Sequence, residues 1–175
     1  MQKAILTSGA IAGAIAIGGV ILGQSLSTGD ESMQFLEGLG FLIMFLAFSL
    51  VFIAIKKYRD EELGGVIRFG TGFLLGLGIT VVASVVYVLV WEVNLALTDY
   101  AFIGDYAESI IADAKEAGQS AEQLQVLTAN MEQMKANYAN PLYRLPITFL
   151  EIFPIGLLVS LISALILRKS EVLPV

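Results

Sequence analysis

Residues 69–91 read FGTGFLLGLGITVVASVVYVLVW, an unbroken run without a charged side chain from Phe69 to Trp91. At 1.5 Å of rise per residue, a helix of about 20 residues matches the roughly 30 Å hydrocarbon core of a bilayer, so this run is predicted to span a membrane. Three further stretches pass the same test: Ala4–Gly23, Leu39–Ile55 and Leu145–Leu167. The predicted fold class is therefore all-α, an integral membrane four-helix bundle. Residues 99–139, between the third and fourth spans, form an extracytoplasmic helical hairpin.

The composition agrees. Of 175 residues, 57% are hydrophobic and 15% charged, with a mean hydropathy of +0.79, far from the balance of a soluble domain. The absence of Cys removes disulfides, thiolate metal sites and thiol catalysis, and the absence of His removes the usual neutral-pH base and the commonest transition-metal ligand. No catalytic, cofactor-binding or metal-ligating residue is predicted, and a non-enzymatic protein is expected.

Lys3, Lys56, Lys57, Arg59, Arg68, Arg168 and Lys169 flank the spans on one side, and Lys115, Lys135 and Arg144 on the other. The excess of bases marks the cytoplasmic face, which places both termini there. On the opposite side Glu92, Asp99, Asp105, Glu108, Asp113, Glu116, Glu122 and Glu132 outnumber three bases, which argues against nucleic acid as a partner. Lys3 before an apolar run resembles a secretory signal. The run is longer than a typical signal core and Gly23-Gln24-Ser25 is a poor cleavage site, so a retained helix is expected.

Small residues mark where helices should meet. In the first span Gly9, Ala12, Ala16, Gly19 and Gly23 alternate steps of three and four, a stripe that lets another backbone approach closely and predicts a central helix. Gly72, Gly76, Thr80 and Ser84 recur every fourth residue in the third span, and Gly156, Ser160 and Ala164 do so in the fourth, as matching ridges. Gly70-Thr71-Gly72 with Gly76 approximates a dinucleotide fingerprint, but no strand precedes it and its spacing is off, so packing is the better account. The loop KKYRDEELGGVIRFG reads as a charged turn joining two adjacent antiparallel helices. Its Asp60-Glu61-Glu62 cluster reads as solvated. Tyr87 and Trp91 approach the end of their span, where amphipathic rings favour the membrane interface.

In the insert, Phe102, Tyr106 and Ile110 fall four apart and Gly118 supplies a stop. Ser120 with Gln123 makes a capping-box pair, and Leu124, Leu127, Met131, Met134 and Tyr138 continue at helical spacing. Asn140-Pro141 is expected to end this hairpin, with Pro146 in the first turn of the fourth span.

Glu151 is a lone carboxylate inside that span, and an intramembrane carboxylate is a candidate for ion or proton handling. Counted from Pro146, however, it lies near the headgroups, where Arg144 is placed to neutralise it. An interfacial, structural role is the favoured reading. Pro154 removes the helical hydrogen bond to the Leu150 carbonyl and loosens the backbone beside the carboxylate. Phe35-Leu36-Glu37 echoes Phe149-Leu150-Glu151, which nominates Glu37 and Glu151 as a pair, with Glu92 close by.

The loop YRDEELGGVIRFGTGFLLGLGI, the segment YANPLYRLPITFLE and the closing IFPIGLLVSLISALILRK together resemble the bacterial membrane-protein family called domain of unknown function 4199. The resemblance implies a four-span inner-membrane protein with an outer helical insert, and brings no activity, substrate or cofactor. The expected function is that of a scaffold or accessory subunit acting through helix packing and its outer hairpin. The expected partners are the lipid bilayer and a second copy or another membrane protein, with no nucleic acid. The alternative is a small oligomeric ion- or proton-linked transporter or channel subunit using Glu151.

Overall fold

The computed structural model describes residues 1–26 and 33–169, the side chains of 24–26 and 33–37 excepted. They form six helices: α1 (Gln2–Leu26), α2 (Met33–Glu62), α3 (Phe69–Leu97), α4 (Phe102–Glu116), α5 (Ala121–Tyr138) and α6 (Pro141–Leu167). Four of them, α1, α2, α3 and α6, are long and apolar enough to cross a membrane. The exposed faces of these helices carry Leu6, Phe45, Leu74, Leu89, Leu158 and Ile166, whereas Ala12, Thr80, Ser84 and Ser160 are buried. Apolar outside and small or hydroxylated inside is the pattern of a bundle solvated by lipid, where close packing replaces hydrophobic drive.

α3 packs along both α1 and α6, and α2 packs along the same two helices, so the order around the bundle is α1, α3, α6, α2. Two expectations are corrected here. The helices joined by the short loop at 63–68 are not the closest neighbours, because α6 and α1 lie between them and α2 meets α3 more sparsely. The loop crosses the bundle instead, held by backbone pairing between Ile67 and Lys169. The most enclosed helix is α3 rather than α1, since α3 packs along both α1 and α6 and also meets α2, whereas α1 packs only along α2 and α3.

Boundaries shift where a local signal is ambiguous. α2, read as the shortest span, is the longest helix at 30 residues. Its charged end stays helical through i to i+4 pairs, Lys56 with Asp60 at 3.6 Å and Lys57 with Glu61 at 3.9 Å. Gly64 and Gly65, at φ +64° and +89°, then reverse the chain in a conformation that L side chains resist. α6 begins at Pro141 rather than 145, because Asn140 caps it, accepting from the Leu142 amide at 3.0 Å, and Pro141 takes the first position. Pro146 therefore lies inside the helix. The hairpin is built as read: Ser120 and Gln123 form a reciprocal capping box and Gly118 turns at φ +74°.

The α3–α6 seam organises the bundle. Its matching ridges meet in antiparallel register, Gly72 against Ala164, Gly76 against Ser160 and Gly156 against Thr80. A Cβ on Gly76 would stand 2.9 Å from Ser160, and one on Gly156 would stand 2.5 Å from both Thr80 and Phe48 of α2. Thr80 and Ser160 share a hydroxyl hydrogen bond of 3.0 Å with both groups fully buried, and Ser84 donates to the Thr80 carbonyl at 2.9 Å. The gap left by glycine is what lets the two hydroxyls reach one another. Gly9 and Gly19 also meet close neighbours, Val82 and Ile43, whereas Gly23 has nothing within 4 Å. Gly23 lines the cavity under the hairpin instead of a helix contact, which corrects its predicted packing role. Gly13 against Ala83 and Gly78 against Ile5 are close approaches the periodicity did not single out.

Candidate functional site

At the end of the bundle that carries the hairpin, the four-residue step of the α3–α6 seam arrives at Glu92 and Arg144. The guanidinium is buried, 3% exposed, and forms two parallel bonds with the carboxylate: Nε to Oε1 and Nη2 to Oε2, each 2.7 Å. Its remaining prong, Nη1, donates to the Tyr138 carbonyl at 2.8 Å. The rings of Tyr100 and Tyr138 cover it at 5.1 and 5.6 Å. A planar fork matched to a carboxylate and stacked between aromatic faces is an arrangement only arginine satisfies.

Arg144 thus neutralises Glu92, correcting its assignment to Glu151. The reason is geometric: Glu151 lies two turns along the same helix, about 10 Å of rise away, whereas α3 brings Glu92 directly opposite. Tyr100 reaches the guanidinium from a strained link, since Asp99 and Tyr100 have φ of +51° and +58°. Consecutive left-handed non-glycine residues persist only where surrounding contacts hold them.

The hairpin is fixed by the same cluster. Trp91 Nε1 donates to the Tyr138 hydroxyl at 2.9 Å, and Phe102 packs edge-on against the indole, centroids 4.9 Å apart. Both ends of the hairpin are therefore tied to α3. Burial pushes the Tyr138 phenol up from the usual tyrosine range, with Trp91 and Arg144 opposing that shift. Tyr87 and Trp91, expected at the interface, point inward and are 2% and 5% exposed. Neither Tyr87 nor Tyr138 was marked as a site residue by the sequence. The available signal was a phenol inside an apolar helix for Tyr87 and, for Tyr138, the last position of the helical apolar spacing in α5.

Between this roof and the bundle lies a cavity of about 840 Å³. Its floor and walls come from Gly19 and Gly23 of α1, Leu39, Ile43 and Met44 of α2, Tyr87 and Trp91 of α3, and Thr148 and Glu151 of α6. Its roof comes from Phe102, Tyr106 and Tyr138. Glu151 faces this chamber and accepts from the Tyr87 hydroxyl at 3.3 Å. Because α6 starts at Pro141, Glu151 lies about 15 Å of helix from its first residue.

Pro154 lies on the exposed side of α6 just below, leaving the Leu150 carbonyl without its helical donor. Of the nominated residues, Glu92 and Arg144 come together and Glu151 stands apart from them on the chamber wall. The Glu37 side chain lies outside the described residues. At the far end of the bundle the Asp60 carboxylate is held by Arg59 at 2.6 Å and Lys56 at 3.6 Å, as a solvated cluster would be.

No curated protein and no solved structure matches the chain. A family model described as "Protein of unknown function (DUF4199)" matches residues 7–169, nearly the whole length. Most of α1 and all of the other helices, including the insert before the last and the seam that joins α3 to α6, fall within the match, and the chain belongs to the DUF4199 family.

Proposed function

We propose that this protein is a non-enzymatic accessory subunit of a bacterial inner membrane, with both termini cytoplasmic, that presents its helical hairpin as a rigid extracytoplasmic platform. The observation that carries this reading is the clamp at the hairpin's base, where Arg144, Glu92, Trp91 and Tyr138 bind one another. A loop that only joined two spans would not need a buried ion pair and an indole hydrogen bond to fix its angle. α5, by contrast, has no buried residue, and Val126 on it is 57% exposed. The platform is held stiffly from below and left open above. The bias of bases to the other end of the bundle supports the orientation. The lack of His and Cys supports a binding role over catalysis.

Photo-crosslinking residues placed at Val126 and Asn130 in living cells test this. The reading expects one common protein adduct from both positions and none from Leu158 on the lipid-facing side. Equal labelling from all three positions, or none from α5, contradicts it.

A second reading, a small oligomeric transporter subunit, is favoured by the position of Glu151 on the chamber wall with the loosened turn at Pro154 beneath it. Reconstituted protein would then show cation- or pH-driven flux abolished by Glu151→Gln. Absence of flux, or flux indifferent to that substitution, excludes it.

A further inference from the structure

The chamber under the hairpin has a chemical character of its own, independent of any protein that meets the platform. Its volume of about 840 Å³ lies within the roughly 300–1,000 Å³ of small-molecule sites. Its ionisable carboxylates are Glu151 and Asp105, and no lysine or arginine lines it among the described residues. Between the two carboxylates the wall is aromatic, with Tyr87, Trp91, Phe102 and Tyr138. Along α1 and α2 it is aliphatic, with Val20, Ile21 and Met44.

We propose that this chamber binds an amphipathic alkylammonium, its cationic head beside Glu151 within the aromatic ring and its alkyl body along α1 and α2. Each part of the wall selects for one part of such a molecule. Aromatic faces attract an ammonium through their quadrupoles, most strongly when water is excluded. A carboxylate two turns below the Glu92–Arg144 pair is costly to keep charged in an apolar setting, and a cation offsets that cost. The single sign of the wall rejects anionic amphiphiles, whose head would meet two carboxylates with no compensating base. Arg144 does not compete for the role, because all three of its prongs are committed to Glu92 and the Tyr138 carbonyl.

Trp91 is the sole tryptophan of the chain and lies on the chamber wall, so it reports occupancy directly. The full-length protein in lipid nanodiscs is titrated with a bromoalkyl trimethylammonium, and in parallel with the alcohol and the sulfate of the same bromoalkyl chain. A further arm replaces the free probe with brominated phosphatidylcholine in the disc, which offers the ammonium as a lipid headgroup. Saturable quenching of Trp91 is expected from an ammonium source, at least about tenfold tighter than from the alcohol, with the sulfate weakest. Whichever of the two ammonium arms saturates identifies the source.

Glu151→Gln and Asp105→Asn should each weaken the ammonium by about tenfold and leave the alcohol unchanged. Should Glu151→Gln fail to give a folded protein by its elution profile, Asp105→Asn, on the exposed face of α4, carries the test. Quenching by the alcohol or the sulfate as strong as by ammonium, quenching that never saturates, or a midpoint indifferent to both substitutions overturns the proposal.

Discussion

Arg144 and Glu92 close the α3–α6 seam with a two-pronged ion pair of 2.7 Å bonds, in the same antiparallel register that sets Gly76 against Ser160 and Gly156 against Thr80. From Gly72 to Glu92 the seam runs about 30 Å of helix, the thickness of a hydrocarbon core. The ion pair is thus placed where the apolar layer gives out, and the same guanidinium holds the hairpin through Tyr138.

Removing one partner of a buried pair leaves an uncompensated charge, so Arg144→Ala should cost about 3 kcal/mol. Arg144→Lys keeps the charge but loses the fork and should cost about 1–2 kcal/mol. The double substitution Glu92→Gln with Arg144→Met should cost less than the sum of the two single changes. Unfolding in detergent of the four proteins measures that coupling.

Gly156 is the tightest point of the seam, against Thr80 on one side and Phe48 on the other. Gly156→Leu should lower stability by about 1–3 kcal/mol or more, because neither neighbour is free to retreat. Gly23→Leu, at a glycine with open space around it, should change stability by less than about 0.5 kcal/mol. Thermal unfolding of both variants in one detergent separates these cases.

The seam was legible because small residues every fourth position are a period no lipid-facing surface requires, and Gly72, Gly76, Thr80, Gly156, Ser160 and Ala164 all meet as that period predicts. Glu92 and Arg144 were legible as residues but not as a pair, since they lie 52 positions apart. Continuing both ladders by four would have reached them. Asn140-Pro141 misled because the dipeptide that stops one helix also starts another, and only the cap geometry decides. The helix that carries Glu151 therefore starts four residues earlier than its apolar run at Leu145. The stripe in α1 announces close packing at Gly9 and Gly19, but periodicity carries no information on where helices part around a cavity, and Gly23 lies on such a wall. The chamber had no signature in sequence, being made of side chains from every helix.

The Tyr138 hydroxyl accepts from Trp91, so Tyr138→Phe strands an indole donor and should cost about 1 kcal/mol and change Trp91 emission. Burial holds the Tyr138 phenol above the ordinary tyrosine range. The unfolded chain therefore releases that proton first, and the stability is intact below pH of about 10 and is lost as pH rises through and beyond that value. A plot of unfolding midpoint against pH should fall less steeply above pH of about 10 for Tyr138→Phe than for the natural chain. Identical slopes contradict this.

The register of α3 against α6 is the relationship from which the ion pair, the hairpin clamp and the chamber all follow, and a chain without cysteine allows it to be tested cleanly. A Cβ on Gly72 would lie 3.5 Å from that of Ala164, within the roughly 3.5–4.5 Å of a disulfide. Oxidation of the Gly72→Cys, Ala164→Cys protein in native membranes should give a crosslinked monomer that runs faster on a denaturing gel, while Gly72→Cys with Gly156→Cys should give none. Crosslinking of the second pair in preference to the first contradicts the register and everything built on it.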